Sequence, residues 1–201
     1  MPDFSRESAL IASGRGPVAG VDEVGRGALA GPVVVAAVIL DPANIPDGID
    51  DSKKLGPARR ERLYAAILRS ALATSFVYVA VAEIDALNVR RATLVGMARA
   101  IRALCLRPAT ALVDGRDIPP ETPCLTQAII GGDGLTLSVG AASIIAKVTR
   151  DRLMRALDAH APGYGFARHV GYGTEAHRAA LRRLGPSPYH RRSFRLGPTE
   201  A

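Results

Sequence analysis

Cysteine is scarce in this chain of 201 residues, which contains only Cys105 and Cys124. The two stand alone, without the paired spacing of a structural zinc site, and isolated thiols fit a reducing compartment. The i, i+4 helical pairing of a metalloprotease is also missing from the four histidines, which are His160, His169, His177 and His190. The sequence therefore offers no zinc-type site and predicts a cytosolic protein.

Long apolar segments are absent as well. The longest apolar run, at 33–40, has eight residues and is too short to span a bilayer. Residues 1–13 carry acids and no long apolar stretch, so we expect no secretory signal. With 48% hydrophobic residues, the chain has enough apolar side chains for the core of one domain. We therefore expect a single-domain protein without a membrane partner.

Lysine is rare, since only Lys53, Lys54 and Lys147 occur among 26 basic residues. The net charge of +7 favours a polyanionic partner. The excess of arginine has an alternative explanation in the base composition of the coding sequence. Its placement is more informative, because ten arginines lie between Arg150 and Arg195 against three acids. This distribution indicates a phosphate-binding C-terminal third.

Three apolar segments end in acids. Asp22 and Glu23 lie in V-D-E-V-G-R-G, Asp114 follows A-T-A-L-V, and Asp133 follows A-I-I-G-G. Each acid before glycine has a simpler explanation as a turn residue. In open α/β sheets, however, ligands gather at strand ends. Carboxylates about 4 Å apart repel by roughly 4 kcal/mol at an effective dielectric constant near 20, so a cluster of them binds protons or cations. Ligands that are all oxygens favour Mg²⁺ or Mn²⁺.

The adjacent acids Asp22 and Glu23 pose a geometric problem. Successive side chains of a regular strand point to opposite faces, so the two cannot both face one metal ion unless the alternation breaks. Gly25 and Gly27 follow at once and tolerate the backbone conformations of a bulge or tight turn. We therefore expect a break in the strand next to these acids.

Apolar periodicity predicts alternating strands and helices. Strands are expected at a first segment ending near residue 24 and at 33–40, 75–82, 109–114 and 126–131, and helices at 57–72, 88–104, 141–159 and 174–184. Gly31-Pro32 suggests a hairpin turn, Pro57 suits a first helical turn, and Asn88 and Thr174 are candidate N-caps. A hairpin followed by helical crossovers favours a mixed sheet flanked by helices.

Seven motifs, in order along the chain, resemble bacterial ribonuclease HII. They are G-V-D-E-V-G-R-G-A-L-A-G-P-V at 20–33, D-D-S-K-K-L at 50–55, E-I-D-A-L-N at 83–88, L-V-D-G at 112–115, A-A-S-I-I-A-K-V-T-R-D-R-L-M at 141–154, G-Y-G-T at 171–174 and H-R-R-S-F at 190–194. The resemblance extends over residues 18–197. So many motifs in one order make it highly specific.

The resemblance implies an α/β, ribonuclease H-like fold, with a mixed five-stranded sheet flanked by helices and a small C-terminal helical extension. It implies an N-terminal segment at 1–17, a catalytic domain at 18–160, and a C-terminal helix and basic tail at 161–201 that complete the substrate site. The implied activity is hydrolysis of the RNA strand of RNA/DNA hybrids and cleavage at single ribonucleotides in duplex DNA. A two-metal-ion mechanism with Mn²⁺ or Mg²⁺ would leave 3′-hydroxyl and 5′-phosphate ends, and the enzyme is expected to be a monomer.

Carried over residue by residue, the resemblance makes four acids the catalytic metal ligands: Asp22, Glu23, Asp114 and Asp133. The expected substrate-binding residues are Gly25, Arg26, Gly27, Lys53, Lys147 and Tyr172. The glycine-flanked arginine matches the motif that contacts the ribonucleotide, and Tyr172 matches the tyrosine that packs on the sugar of the next deoxynucleotide. Arg26 has an alternative role as a simple phosphate clamp.

Other basic residues leave further alternatives open. Lys147 and Arg150 share a helix face and are candidates to reach the substrate backbone, but Lys147 has the i, i+4 spacing to pair with Asp151 instead. We expect His177 and His190 to be structural or surface residues.

Two short runs depart from the family pattern. Gly131-Gly132-Asp133 replaces the common Lys-Gly-Asp and loses a positive charge beside the fourth acid. The run 139–143, V-G-A-A-S, replaces Ile-Ala-Ala-Ala-Ser and puts a glycine near the start of a helix, where it costs little. Neither change removes a metal ligand.

Two alternative functions remain at this stage. An inactive nucleic-acid-binding relative is disfavoured by the intact set of four acids. Another two-metal nuclease of the superfamily, such as a resolvase-like or HIII-type enzyme, is disfavoured by the G-R-G and G-Y-G-T motifs. HIII proteins also carry a sizeable N-terminal domain, whereas about 17 residues precede the first strand expected here.

Overall fold

Five strands form one mixed sheet in the computed structural model, which describes residues 2–196. In chain order they are β1 (Val18–Val24), β2 (Val33–Ile39), β3 (Ala73–Val79), β4 (Thr110–Asp114) and β5 (Leu125–Ile129). Their order across the sheet is β3-β2-β1-β4-β5. The central strand β1 pairs antiparallel with β2 and parallel with β4, as expected for a hairpin followed by helical crossovers. The predicted mixed five-stranded sheet is confirmed.

Helices pack on both faces of the sheet. Within the described residues they are α1 (Ser5–Ala12), α2 (Pro57–Ser70), α3 (Val81–Leu87), α4 (Val89–Arg102), α5 (Leu137–His160), α6 (Phe166–His169) and α7 (Glu175–Leu184), with a short 3-10 helix at Gly132–Gly134. The helices predicted at 57–72, 88–104 and 174–184 are confirmed, whereas α1, α3 and α6 were not predicted. The prediction of strand through residue 82 was wrong, because β3 ends at Val79 and α3 begins at Val81.

The apolar run at 33–40 contributes to the core on both faces of the sheet. Every side chain of β2 is buried, since the strand lies between β1 and β3. Its odd-numbered residues pack in the cluster that contains Met97 and Ile101 of α4. Its even-numbered residues pack in the cluster that contains Ile67 of α2 and Ile144 of α5. A strand buried on both faces needs no polar alternation, which explains the continuous apolar run.

Local capping signals were predicted correctly. The Asn88 side chain accepts a hydrogen bond from the Arg91 amide at 3.1 Å, at the start of α4. The Thr174 hydroxyl accepts from the His177 amide at 3.3 Å, at the start of α7. Pro57 occupies the first turn of α2, where its missing N–H costs nothing. These three helix starts are therefore encoded locally.

The start of α5 depends instead on a distant residue. Glu7 of α1 accepts hydrogen bonds on Oε1 from the Ser138 amide at 2.8 Å and from its hydroxyl at 2.6 Å. Amides in the first turn of a helix have no partner within the helix, so such a carboxylate stabilises the start. The helix consequently begins at Leu137, before the predicted residue 141.

A glycine in β1 allows α5 to lie directly on the central strand. A Cβ atom at Gly20 would lie 2.0 Å from the carbonyl carbon of Ser138, so no other residue fits this approach. The close packing brings α5 over the strand that carries Asp22.

The connection between β1 and β2 comprises residues 25–32, called here the β1–β2 loop. The hairpin is confirmed by the antiparallel pairing of the two strands. The tight turn predicted at Gly31-Pro32 was wrong, because those residues are only the last part of a longer loop. Gly25 and Gly31 have positive φ values of 98° and 81°, which explains glycine at both positions.

No helix within residues 2–196 is long and apolar enough to cross a membrane.

Candidate active site

Asp22 and Asp114 occupy aligned positions near the ends of two neighbouring strands. The parallel register pairs Val21 of β1 with Val113 of β4, and each acid is the next residue along its strand. Neighbouring strands lie about 4.8 Å apart, and residues in register share a face. Asp22 is only 4% exposed. Its pKa is raised well above the ordinary value by burial, and further by the charges of Glu23 and Asp114.

Glu23 does not share that face. The strand ends just after the acids, as predicted, and Gly25 has a positive φ value. The alternation between Asp22 and Glu23 is nevertheless kept, because β1 remains regularly paired with β2 through Val24. Glu23 nevertheless belongs to the same electrostatic cluster. Burial raises its pKa, Arg26 opposes that shift, and Asp114 adds to it. Glu23 Oε1 accepts from Arg26 at 3.3 Å, and Oε2 is buried without a hydrogen-bond partner among the described residues.

The third and fourth acids are connected through the turn after β5. Asp114 Oδ1 accepts from the Gly132 amide at 2.7 Å. Burial raises the pKa of Asp114, and the nearby charge of Asp133 raises it further. Asp133 lies in the short 3-10 helix and is 8% exposed. The parallel pairing of β4 with β5 thus brings the last acid to the strand end that carries Asp114.

Lys53 lies beside the fourth acid. Its Nζ atom is 3.5 Å from Asp133 Oδ2. Burial alone would lower the pKa of Lys53, but the carboxylates of Asp133, Asp51 and Asp22 outweigh burial and raise it. A positive charge therefore stands next to Asp133 although Gly131 replaces the lysine common in the motif.

The acids fit a hard divalent cation by their chemistry. Within residues 2–196, no three Asp, Glu, His or Cys side chains are already gathered closely enough to enclose a metal ion. The cluster nevertheless offers oxygen atoms only, as Mg²⁺ and Mn²⁺ require. Burial, and then the charges of neighbouring acids, raise the pKa values of Asp22 and Asp114, and the buried Oε2 atom of Glu23 has no hydrogen-bond partner among the described residues. A bound cation would relieve both.

Tyr172 packs beside the glycines of the β1–β2 loop. A Cβ atom at Gly27 would lie 3.9 Å from Cε1 of the tyrosine ring. Ala28 and Tyr172 form an isolated antiparallel bridge, and the Leu29 amide donates to the Gly171 carbonyl at 2.8 Å. The fold therefore joins the G-R-G and G-Y-G-T motifs into one surface next to Glu23.

Comparison with known proteins agrees with this arrangement. The ribonuclease HII family matches residues 19–196. The chain belongs to the ribonuclease HII family. It is similar to ribonuclease HII of Xanthobacter autotrophicus, with 59% identity over 195 residues that cover 96% of this chain and 76% of the relative.

Two solved structures from the same group of enzymes have a similar fold. One is ribonuclease HII in the PCNA:RNase HII complex from Archaeoglobus fulgidus, with a TM-score of 0.76, 30% identity, and coverage of 90% of this chain and 96% of that chain. The other is ribonuclease H2 from Pyrococcus horikoshii, with a TM-score of 0.74, 28% identity, and coverage of 89% and 94%. The ribonuclease H-like fold is thus confirmed, and the chain is a nuclease and hydrolase of the ribonuclease H type.

Two basic residues of α5, Lys147 and Arg150, were candidates to reach the substrate backbone because they share a helix face. Lys147 pairs with Asp151 at 2.8 Å, which is the alternative that its spacing left open. The suggestion that Arg150 reaches the substrate backbone was wrong, because its side chain is fully buried. Arg191, within H-R-R-S-F, is fully buried too. From the distribution of charge along the sequence, both arginines were expected on the surface. Their position within the family motifs is the one sequence signal of another role.

His177 and His190 are structural residues, as one of the expected alternatives held. The Ser187 amide donates to His190 Nδ1 at 2.9 Å, and the two Nε2 atoms of the histidines lie 3.0 Å apart. His177 Nδ1 lies 3.0 Å from the Tyr172 carbonyl oxygen. With both rings neutral, His190 donates to His177, which in turn donates to Tyr172. This chain of hydrogen bonds ties the backbone of Tyr172 to the C-terminal segment.

Acid is expected to destabilise the protein through His190. Burial, and then the neighbouring His177, lower the pKa of His190 from 6.5 to about 4. The folded state therefore disfavours the proton that His190 binds in the unfolded chain. The stability that neutral His190 allows is complete above the unfolded-state pKa, and it is lost as pH falls toward the folded-state pKa. Between about pH 7 and pH 5 the loss should be roughly 2 kcal/mol.

Urea unfolding of the wild type and of His190→Gln at both pH values checks this expectation. The difference between the two proteins isolates the histidine from the carboxylate cluster, whose raised pKa values act in the opposite direction. An unchanged difference at the two pH values would contradict the assignment.

Proposed function

We propose that this chain hydrolyses the RNA strand of RNA/DNA hybrids and also cuts at single ribonucleotides in duplex DNA, leaving 3′-hydroxyl and 5′-phosphate ends. One observation carries the proposal. A cluster of buried and partly buried carboxylates near the ends of β1, β4 and β5 lies beside a glycine loop that is packed against Tyr172. The cluster suits phosphodiester hydrolysis, and the loop suits recognition of a sugar.

The cations would be held by Asp22, Glu23, Asp114 and Asp133. Bound there, two Mn²⁺ or Mg²⁺ ions supply the positive charge that activates the attacking water and stabilises the leaving 3′ oxygen. The carboxylates themselves would hold and orient the cations. The Gly132 amide fixes one oxygen of Asp114 and leaves the other available, and the carboxylate of Glu23 keeps one oxygen without a partner.

Ribose selectivity would come from the 2′-hydroxyl, the group that distinguishes RNA from DNA at a given position. Amides of the β1–β2 loop are suited to contact it, because Gly25 and Gly27 carry no Cβ atom that would keep a sugar at a distance. Tyr172 would pack on the next deoxyribose. Arg26 is half-exposed and near Glu23, so it is suited to bind the adjacent phosphate.

The C-terminal part completes this site. We propose a catalytic domain at 18–160 preceded by a segment at 1–17 and completed by residues 161–201, of which Met1 and 197–201 lie outside the described residues. The support is the contact of Tyr172 with the β1–β2 loop, which directly follows the strand that carries Asp22 and Glu23. The two free cysteines support a cytoplasmic location, and we propose a monomer.

A cleavage assay tests the function directly. A DNA duplex with one embedded ribonucleotide, an RNA/DNA hybrid and an all-DNA duplex would be incubated with Mn²⁺ or Mg²⁺, and the products sized at base resolution. We expect one cut at the ribonucleotide, several in the hybrid and none in the all-DNA duplex. Cleavage of the hybrid alone would rule out junction recognition, and no cleavage at all would favour an inactive relative.

The affinity for duplex should depend strongly on salt. Six basic side chains on the surface are candidates for phosphate contacts: Lys53, Arg168, Arg178, Arg183, Arg192 and Arg195. If about five or six phosphates are contacted, log affinity should fall against log salt with a slope of about −5, at roughly −0.9 per contact. Fluorescence anisotropy in EDTA measures it. A slope near zero would show that these side chains contact only solvent.

A further inference from the structure

Arg191 holds the β1–β2 loop from inside the protein. It donates from Nη1 to the Arg26 carbonyl at 2.8 Å and from Nη2 to the Gly25 carbonyl at 2.7 Å. It also donates to the Gly31 carbonyl, from Nε at 3.0 Å and from Nη2 at 2.8 Å. The side chain is fully buried and forms no ion pair within residues 2–196. Its guanidinium group is therefore devoted to backbone carbonyls of one loop.

Because of peptide geometry, these contacts fix the direction in which two backbone N–H bonds point. A trans peptide is planar, so its C=O and N–H bonds point in opposite directions. The Gly25 carbonyl shares a peptide with the Arg26 amide, and the Arg26 carbonyl shares one with the Gly27 amide. Since both carbonyls point inward to Arg191, both amides point away from the buried guanidinium. Neither amide donates to any group among residues 2–196.

Arg150 supports the other end of the loop. It donates to the Pro32 carbonyl at 2.9 Å, to the Ala30 carbonyl at 3.1 Å and to the Val170 carbonyl at 2.8 Å. Its guanidinium carbon lies 5.6 Å from the centre of the Tyr172 ring. The two buried arginines thus support the loop and the tyrosine as one unit.

This arrangement is costly for stability alone. A buried cation without a carboxylate partner loses hydration that backbone carbonyls replace only in part. Burial, and then the charge of Arg150, lower the pKa of Arg191 to about 9. The group still carries its proton at neutral pH, so all of its donors remain in use. Lysine could not replace them, because an ammonium lacks the planar fork that reaches several carbonyls.

We propose that Arg191 is the positioning residue for ribose recognition: it sets two peptide planes of the β1–β2 loop so that the amides of Arg26 and Gly27 face the 2′-hydroxyl of the substrate. This inference rests on the proposed function and adds a residue that touches no substrate. Arg191 acts through the backbone of the G-R-G motif, and Arg150 keeps the loop end and Tyr172 in register with it.

The test uses Arg191→Lys and Arg191→Met in the full chain. Two quantities are measured: kcat/KM on a duplex with one ribonucleotide, and the ratio of Kd values, in EDTA, for that duplex and an all-DNA duplex of the same sequence. We expect kcat/KM to fall by roughly 100-fold, at about tenfold for each misdirected amide hydrogen bond. The Kd ratio should approach one, while the affinity for all-DNA duplex stays within about twofold, since surface phosphate contacts remain.

Glu7→Gln serves as a control for lost stability, because Glu7 is buried at the start of α5 and, within residues 2–196, makes no hydrogen bond with the loop. Its Kd ratio should equal that of the wild type. If the Arg191 variants keep the wild-type ratio and kcat/KM, or lose affinity for both duplexes equally, the inference is overturned. A wild type that shows no preference for the ribonucleotide would instead overturn the proposed function.

Amide hydrogen exchange of the wild type keeps the inference testable even if both variants fail to fold. The Arg26 and Gly27 amides should exchange quickly in the free protein and become protected by the ribonucleotide duplex in EDTA, but not by all-DNA duplex. Slow exchange in the free protein, or equal protection by both duplexes, would contradict the proposed orientation.

Discussion

Asp114→Asn is expected to abolish cleavage, with kcat/KM reduced by at least about 10³-fold, or roughly 4 kcal/mol of transition-state stabilisation. The substitution removes one negative charge from the proposed cation site without changing the volume of the side chain. The amide oxygen of asparagine can still accept from the Gly132 amide, which now donates to Asp114 at 2.7 Å. The turn that carries Asp133 should therefore stay in place.

The folded state should tolerate this change well. Burial and the charge of Asp133 raise the pKa of Asp114, so the ionised carboxylate is disfavoured in the absence of a cation. Removing its charge relieves that repulsion, and the melting temperature of the metal-free protein should stay the same or rise. Loss of activity together with unchanged or higher stability distinguishes a ligand from a structural acid.

Asp117→Asn is the matched control. Asp117 follows the end of β4 by three residues, but its side chain is 36% exposed and pairs with Arg90 at 2.6 Å. Surface ion pairs contribute little, about 0–1 kcal/mol, so this variant should keep activity within about twofold. Near-normal turnover of Asp114→Asn at saturating Mn²⁺ or Mg²⁺ would refute the metal assignment. The same experiment on Asp22→Asn tests the neighbouring strand.

Tyr172→Ala is expected to lower kcat/KM on a duplex with one ribonucleotide by one to two orders of magnitude. The ring lies beside Gly27, and the guanidinium carbon of Arg150 lies 5.6 Å from the ring centre. Its proposed contact with the next deoxyribose is of the aromatic kind worth about 1–3 kcal/mol for a stacked base, and somewhat less for a sugar. At about 1.4 kcal/mol per tenfold change, this gives the expected range.

The effect should be smaller on a long RNA/DNA hybrid, where other registers of the substrate remain available. Tyr172→Phe is the control, because it keeps the ring and its packing and removes only the hydroxyl. It should retain most of the activity on both substrates, and circular dichroism would verify the fold of each variant. If Tyr172→Ala lowers kcat/KM equally on both substrates, the tyrosine is a packing residue and junction recognition loses its main support.

Local sequence signals were sufficient wherever the structure depends on neighbours in the chain. Asn88 and Thr174 were predicted as N-caps because a capping side chain bonds an amide two or three residues away. The apolar run at 33–40 identified β2, and the hairpin with helical crossovers gave the mixed sheet. The family motifs supplied the ribonuclease H-like topology, which periodicity alone did not contain.

Features that depend on distant residues were missed or misjudged. The early start of α5 requires Glu7, which is 131 residues away from Ser138. Arg150 and Arg191 were counted as surface charges, because arginine is usually exposed and no local pattern announces a buried guanidinium. Whether an arginine is buried depends on which carbonyls surround it, and most of those belong to a loop more than a hundred residues earlier in the chain.

The sequence by itself determined that acids follow apolar strand segments, where the four longest helices form and to which family the chain is similar, since these follow from runs, caps and motifs along the chain. Only the tertiary structure decided that Val21 pairs with Val113 and so brings Asp22 level with Asp114. It also decided that Glu23 leaves the opposite face of a regular strand, and that Arg191 lies under the β1–β2 loop. Strand register and burial arise from contacts between segments far apart in sequence, and the periodicity within each segment carries no record of its partner.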